Sequence, residues 1–373
     1  MVEVIEVNSI KALKDFVKFP LKLYKDCNNY IPSLTLDELN TLRRDKNPAF
    51  EFCEAKYWLA YQDGEIVGRI AAIINYKAID IWNEKSGRFG YIDFIEDFQV
   101  CSSLIITAEQ WLISKGMNKI QGPLGFSDFD LEGTLIKGFE YRGTMTTIYN
   151  YPYYPKYLEQ LGYIKDVDWL EYEIIMPDKV PEEVLRVAER SMTQNKLKLF
   201  TSNKKKDVAK YAPQLFKLIN IAYKDLYEFT PLSDEQIKLY TKQYINLVNT
   251  DYVKFILDEN DELVAYVFGF PSIAKALKKS RGSLFPLGFI YINKAFKKNN
   301  RLEIAHIAIH PKYQMKGVNA ILFKELIESC NKRGIKYADL NPQLETNKKV
   351  RIQWRRFKNR QHKVRTCFYK SLS

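Results

Sequence analysis

The chain is short of the residues that build disulfide frameworks and metal sites. Its five cysteines, at positions 27, 53, 101, 330 and 367, fall in no CxxC pair and show no close spacing. That scatter argues against a disulfide scaffold or a thiolate metal site and fits a reducing cytosol. Glycine (16) and proline (14) are too few for a fibrous or disordered chain. Long apolar runs are missing too: none approaches the roughly 18 residues of a membrane-spanning helix, and the best candidates are broken by Arg69, Glu109 or Lys254. The first residues, Met1 to Glu6, carry no basic start and no apolar core of a signal peptide. A cytoplasmic protein with no membrane partner is therefore expected. No Ser-His-Asp set, GxGxxG fingerprint or Walker loop supports a hydrolase, dinucleotide or NTPase reading.

What is abundant is hydrophobic and aromatic surface. Hydrophobic residues make up 46% of the 373 residues and aromatics 14%, enough for substantial cores, and the length predicts two domains. The net charge of +12 is concentrated. From Thr346 to Ser373 there is no acid but ten basic residues: Lys348, Lys349, Arg351, Arg355, Arg356, Lys358, Arg360, Lys363, Arg365 and Lys370. Such a tail suits a nucleic-acid or other polyanion partner. It equally suits a solvated helix face, which is the reading preferred because no nucleic-acid module accompanies it.

The order of elements repeats. Ser9 or Asn8 caps a helix from Ile10 to Phe19 that Pro20 should end. Tyr57–Gln62, the Asp63-Gly64 turn and Glu65–Ile74 form a hairpin. A strand over 87–95, an amphipathic helix over 101–115 stopped at Gly116, and a strand over 117–122 follow. The second half repeats this: hairpin strands over 253–257 and 263–270 around an Asp258–Asp261 turn, a strand over 302–309, a helix over 320–330 stopped at Gly334, and a strand over 335–340. Residues 271–300 read as an insertion in the second copy. The predicted class is α/β (α+β), two mixed-sheet domains in tandem, 1–177 and 178–373, with the boundary near Pro177–Pro181 after a strand over 170–176.

The chemistry-bearing stretch runs from Leu302 to Ala320, a strand entering a glycine-bearing turn that opens a helix. Backbone N–H groups and the helix dipole at such a turn can hold a pyrophosphate, and Gly317 lets the backbone approach it. Gln314-Met315-Lys316-Gly317-Val318-Asn319 resembles the acetyl-CoA-binding motif of the GNAT acetyltransferases, Gln/Arg-x-x-Gly-x-Gly/Ala, with Asn319 replacing the final small residue. The resemblance covers most of 180–373, includes the insertion found in a group of bacterial GNAT-like proteins of about this length, and extends to 50–176 as a degenerate copy. It implies acetyl-CoA or another acyl-CoA as substrate, held by Gln314 to Asn319, by the strand backbone at Ile307 and Ile309, and by Asn347 where Glu345-Thr346-Asn347 resembles the start of the family's fourth helix. It further implies direct acyl transfer to an amine, here of unknown identity. Glu303 stands where histone-type members carry their general base; a glutamate on an apolar strand has a raised pKa. The alternative is an edge glutamate paired with a lysine or arginine.

The two copies diverge. In the first, the loop position reads Asp93-Phe94-Ile95-Glu96-Asp97, whose carboxylates satisfy the helix dipole and repel phosphates; that copy is not expected to bind CoA. It keeps the family's Asn150, Tyr157 and Leu161-Gly162-Tyr163. In the second copy Trp354 occupies the place of the family's catalytic tyrosine, and an indole N–H is no general acid near neutral pH. Tyr157 is then the best-matched tyrosine to protonate the departing thiolate. His306 and His310 share a face, yet nothing completes a metal set, so packing and a strand-end turn are expected. The Tyr149–Tyr157 cluster can line a cleft or simply be buried. Asp128 and Asp130 can receive an amine or belong to an acidic loop. Two further readings stay open: a non-catalytic fold that binds RNA through the basic tail, and a tRNA-dependent aminoacyl transferase.

Overall fold

The computed structural model describes residues 1–372. The strands are β1 (Glu3–Glu6), β2 (Cys53–Gln62), β3 (Glu65–Asn75), β4 (Ser86–Phe94), β5 (Lys119–Gly122), β6 (Thr134–Lys137), β7 (Ile164–Ile175), β8 (Lys198–Phe200), β9 (Val253–Leu257), β10 (Leu263–Pro271), β11 (Arg301–Ile309), β12 (Tyr337–Leu340), β13 (Gln343–Leu344) and β14 (Asn359–Ser371). All 14 belong to one mixed sheet in the order β1-β2-β3-β4-β5-β14-β7-β12-β11-β10-β9-β8, with β6 on β14 and β13 on β7. The repeat read from the sequence is present: hairpin β2–β3, then β4 parallel to β5 through the helix Phe98–Ser114, and hairpin β9–β10, then β11 parallel to β12 through the helix Val318–Arg333. Each copy carries a register slip at the same place, between Arg69 and Ala71 and between Phe268 and Gly269.

The first turn chemistry is as expected: Asp63 and Gly64 both have positive φ, the requirement of a tight primed turn. The first helix differs. It runs from Ile10 to Leu23, straight through Pro20. Proline removes one helical N–H, but the buried face of Leu13, Phe16, Val17, Phe19 and Pro20 carries the helix on, and the Pro20 carbonyl still accepts from Tyr24.

The basic C-terminal run also differs from the solvated helix face expected of it. It continues as β14, inserted between β5 and β7. Lys363 and Arg365 are each 1% exposed and both pair with Glu171 of β7. Arg360 pairs with Glu173, Lys370 with Glu109 and Arg356 with Glu183. Half of the run's cations are thus ion-paired within the chain.

The same strand ties the halves together. Phe368 of β14 lies in the core of the first copy with Phe89, Ile120 and Tyr163. Ile174 of β7 and Met176, just past its end, lie in the core of the second with Leu302, Ile304 and Ala338. Each half thus supplies apolar area to the other, and β14 covers an otherwise open edge of β5. Segments 1–177 and 178–373 expressed separately are therefore expected to be insoluble or molten, and co-expression should restore a soluble complex. Two soluble monomers, each with a cooperative melt, would show that the exchange of strands is dispensable.

Candidate functional site

Two regions meet at β11: a cavity between the halves on one side and the turn into helix Val318–Arg333 at its end. Glu303 is 2% exposed. Its carboxylate accepts from Ser272 Oγ at 2.5 Å and from the Met145 N–H at 3.3 Å. Across the sheet, Glu303 pairs with Asp339, and Asp339 with Glu173, so their side chains share a face. Arg301 bridges Asp339 (2.6 Å) and Glu173 (2.7 Å) and leaves Glu303 without an ion-pair partner. Burial raises its pKa and the Asp339 carboxylate raises it further, against the Ser272 and Met145 hydrogen bonds, to about 7. This is the buried acid, not the edge ion pair.

The slip between Phe268 and Gly269 shapes the rest of β11. His310 N–H donates to Val264, and antiparallel pairing alternates, so Ile307 and Ile309 turn their backbone polar groups away from β10. On that side β12 accompanies β11 only through Ile304, and the strands part. The Ile307 carbonyl there accepts from Tyr223 Oη at 2.9 Å, and the Ile309 carbonyl from Gln314 Nε2 at 3.2 Å. The Ile307 and Ile309 N–H groups face this opening. Burial raises the Tyr223 hydroxyl to about 12.

At the end of β11 the chain passes through two left-handed residues into a helix. Met315 and Gly317 both take positive φ (62° and 79°), Met315 and Lys316 are exposed, and Gly317 caps a 16-residue helix with no acid in its first turn. Gly317 is required twice over: by its φ, and because a Cβ there would lie 2.8 Å from Val187 Cγ1. Asn319 donates to Gln353 at 3.4 Å. Asn347 caps the short helix Lys348–Gln353 through Val350 N–H. The matching position of the first copy is closed: Asp97 caps helix Phe98–Ser114 through Gln99 and Val100 N–H, while Asp93 pairs with Arg69 and accepts from Tyr24.

The cavity measures about 1,200 Å³, above the roughly 300–1,000 Å³ of sites for drug-sized ligands. Both halves line it: Tyr30, Asp130, Met145, Tyr149 and Tyr154 from the first, Tyr244, Ile273, Phe289 and Phe296 from the second. Met145 and Ile273 adjoin the two groups that hydrogen-bond Glu303, so the carboxylate lies directly behind this wall. Burial lifts Asp130 to about 6, against the Ser127 and Phe126 N–H groups it accepts from.

Tyr157 is not brought to Glu303. Its ring packs with Phe94, Phe98 and Tyr153 in the first copy. Trp354 is buried against Phe323 and Phe357. His306 sits among the rings of Phe129 and Tyr244, where burial lowers it to about 4; His310 accepts from Lys312 N–H in the strand-end turn. Sequence reasoning missed Ser272, Met145 and Tyr223. A serine after Pro271, a backbone N–H and a tyrosine some 80 residues upstream of β11 carry no spacing signal.

Residues 217–352 match the family model described as "Acetyltransferase (GNAT) family". Protein YghO of Escherichia coli (strain K12) is 29% identical over 341 residues, 90% of this chain and 86% of that protein. A protein of Caulobacter vibrioides named bacterial ceramide synthase is 26% identical over 290 residues, 77% of this chain and 74% of that one. A tandem GNAT protein from the clavulanic acid biosynthesis pathway, solved without AcCoA, superposes with a TM-score of 0.58 at 10% identity, over 100% of this chain and 99% of that one. A GCN5-related N-acetyltransferase from Sphaerobacter thermophilus superposes with a TM-score of 0.55 at 10% identity, covering 100% and 96%. At these identities the two structures speak for the fold alone.

Proposed function

We propose that this chain, whose fold is that of tandem GNAT proteins, transfers an acyl group from acyl-CoA to the amine of an amphiphilic acceptor, with all the donor-binding residues in the second copy. The observation that carries the reading is the arrangement along β11: a buried carboxyl near pKa 7, a parted edge with two inward N–H groups, and a glycine turn at a helix N-terminus, in that order.

In this reading the CoA pyrophosphate lies on the Gln314–Asn319 turn, with Lys316 supplying charge and Asn347 at the neighbouring helix start. The Ile307 and Ile309 N–H groups polarise the thioester carbonyl. The amine enters from the cavity between the halves, drawn by Asp130. Its nitrogen attacks the carbonyl carbon, the C–S bond breaks, and the ammonium proton passes to Glu303 directly or through a water. The thiolate takes a proton from Tyr223, which is protonated at neutral pH and already reaches this edge; Tyr157, packed among Phe94, Phe98 and Tyr153, is left to the first copy. A ceramide is an amide of a long-chain amino alcohol, and the Caulobacter relative's name together with the cavity's size and its mixed aromatic and acidic lining favours a long-chain amine over a small one.

Calorimetry with acetyl-CoA and a long-chain acyl-CoA tests the donor site. Lys316 is exposed, so Lys316→Glu leaves the fold intact and is expected to weaken CoA binding by about tenfold, the scale of one lost phosphate contact turned repulsive. Acyl transfer assayed on long-chain and short amines then tests the acceptor. Absence of CoA binding, or equal binding by Lys316→Glu, overturns the donor assignment; turnover confined to short amines overturns the acceptor.

A further inference from the structure

The insertion in the second copy forms two helices, Ala274–Ser280 and Gly288–Lys297, joined by a loop. One side of it is fastened to the first half. Lys278 Nζ donates to the carbonyls of Cys27 (3.1 Å) and Asn28 (2.5 Å), and Thr35 N–H donates to the Gly282 carbonyl at 3.0 Å. Ile273, Ala274 and Leu277 bury against Ile31. The outer side has no such cover. Phe285 is 77% exposed, Leu287 50%, Ile290 46% and Phe289 44%. Four large apolar side chains within six residues on an open surface are unusual for a chain that meets only water.

The segment itself carries charge of one sign, facing Asp37 and Glu38 of the first half only on its fastened side. Between Glu262 and Glu303 there is no acidic residue. Lys275, Lys279, Arg281, Lys294, Lys297 and Lys298 are exposed around the patch, and none of them forms an ion pair among the described residues, unlike Arg301 at the end of the stretch. A protruding apolar tip ringed by unpaired cations fits the boundary between acyl chains and anionic headgroups. A second copy of the chain fits poorly, because its own cationic ring would meet this one. The tip is also continuous with the cavity: Leu284, Phe289, Ile292 and Phe296 of the same segment line it.

We propose that the Arg281–Lys298 segment docks on the surface of an anionic phospholipid bilayer, with Phe285, Leu287 and Ile290 entering the acyl boundary and the cavity mouth facing the lipid. The expectation of no membrane partner rested on spanning segments; no helix among the described residues is long and apolar enough to cross a membrane, and interfacial docking needs none. Docking requires no turnover, so it stands or falls separately from the acyltransferase reading.

Vesicle flotation with the full chain tests it. The protein is expected to float with vesicles of phosphatidylglycerol and phosphatidylcholine, to bind pure phosphatidylcholine weakly, and to be released by salt. Phe285→Ser with Leu287→Ser should cut the bound fraction on mixed vesicles by about tenfold. Lys294→Glu with Lys297→Glu should abolish the preference for anionic lipid. All four positions are exposed, and unchanged melting curves will show that the variants fold. No flotation of the wild type, or variants that float as well as it does, overturns the proposal. So does a wild-type dimer in light scattering that Phe285→Ser converts to monomer, since the patch would then be a contact between copies.

Discussion

Glu171→Gln is expected to be the most destabilising single substitution in the centre of the sheet, costing roughly 3–5 kcal/mol. Glu171 of β7 is the sole carboxylate paired with both Lys363 and Arg365 of β14, and all three side chains are 1–2% exposed. Removing its charge leaves two buried cations with no ion-pair partner, a far larger penalty than the modest worth of an intact buried pair. Burial opposes ionisation of Glu171, yet Arg365 and Lys363 outweigh it and hold its pKa at about 2, against 4.5 ordinarily. The folded pKa is depressed, so the contribution is fully present above about pH 4.5 and fades as the pH falls towards 2; its size is on the order of 3 kcal/mol. Urea unfolding at pH 7 should show the loss in Glu171→Gln, and the difference from wild type should shrink below pH 4. Replacing all three residues by Met, Met and Leu should recover most of the stability, because nothing buried is then left unpaired. A Glu171→Gln midpoint within error of wild type would mean that water or other groups satisfy the cations.

That cluster also marks where reading the sequence fails. Local chemistry was legible: Asp63-Gly64 needs a primed turn wherever it sits, Gly116 and Gly334 end helices because both take left-handed φ, and the apolar runs gave β3, β10 and β11 within a few residues. The turn at Gly317 was legible for the same reason, as its backbone requirement is intrinsic to the residue. What fixes β14 is not local. Lys363, Val364 and Arg365 alternate like a half-exposed strand or a solvated segment, and only Glu171, nearly 200 residues upstream, makes both cations buriable. A charge run reveals its own sign but not its partner. The candidate site divides along the same line. Glu303 and the 314–319 turn were visible, one as an acid in an apolar strand and the other as a glycine after one. The groups that set Glu303's protonation come from Ser272 just past β10, from β12 and from the backbone of the first half, and no spacing along the chain encodes that meeting.

Glu303→Gln is expected to separate activity from stability in opposite directions. If Glu303 takes the amine proton, the amide cannot, and kcat at neutral pH should fall by about a hundredfold or more, with CoA affinity unchanged because the Gln314–Asn319 turn lies beyond the end of the strand. The acidic limb of the pH profile, set by a carboxyl near pH 7, should vanish with it. The folded state keeps a proton on this carboxyl that the unfolded chain releases at about 4.5, so between pH 4.5 and 7 the native state binds more protons, and stability falls as the pH rises through that window. A shift from 4.5 to about 7 makes the loss on the order of 3 kcal/mol by pH 8. Glutamine carries no such penalty and can still accept from Ser272 and Met145 N–H. The variant should therefore be slower than wild type yet more resistant to urea at pH 8, and equal to it at pH 5. A merely structural carboxyl would give the stability signature alone, with kcat and its pH profile intact. That result would leave the base to be found among the cavity's other acids, with Asp130 the first to change.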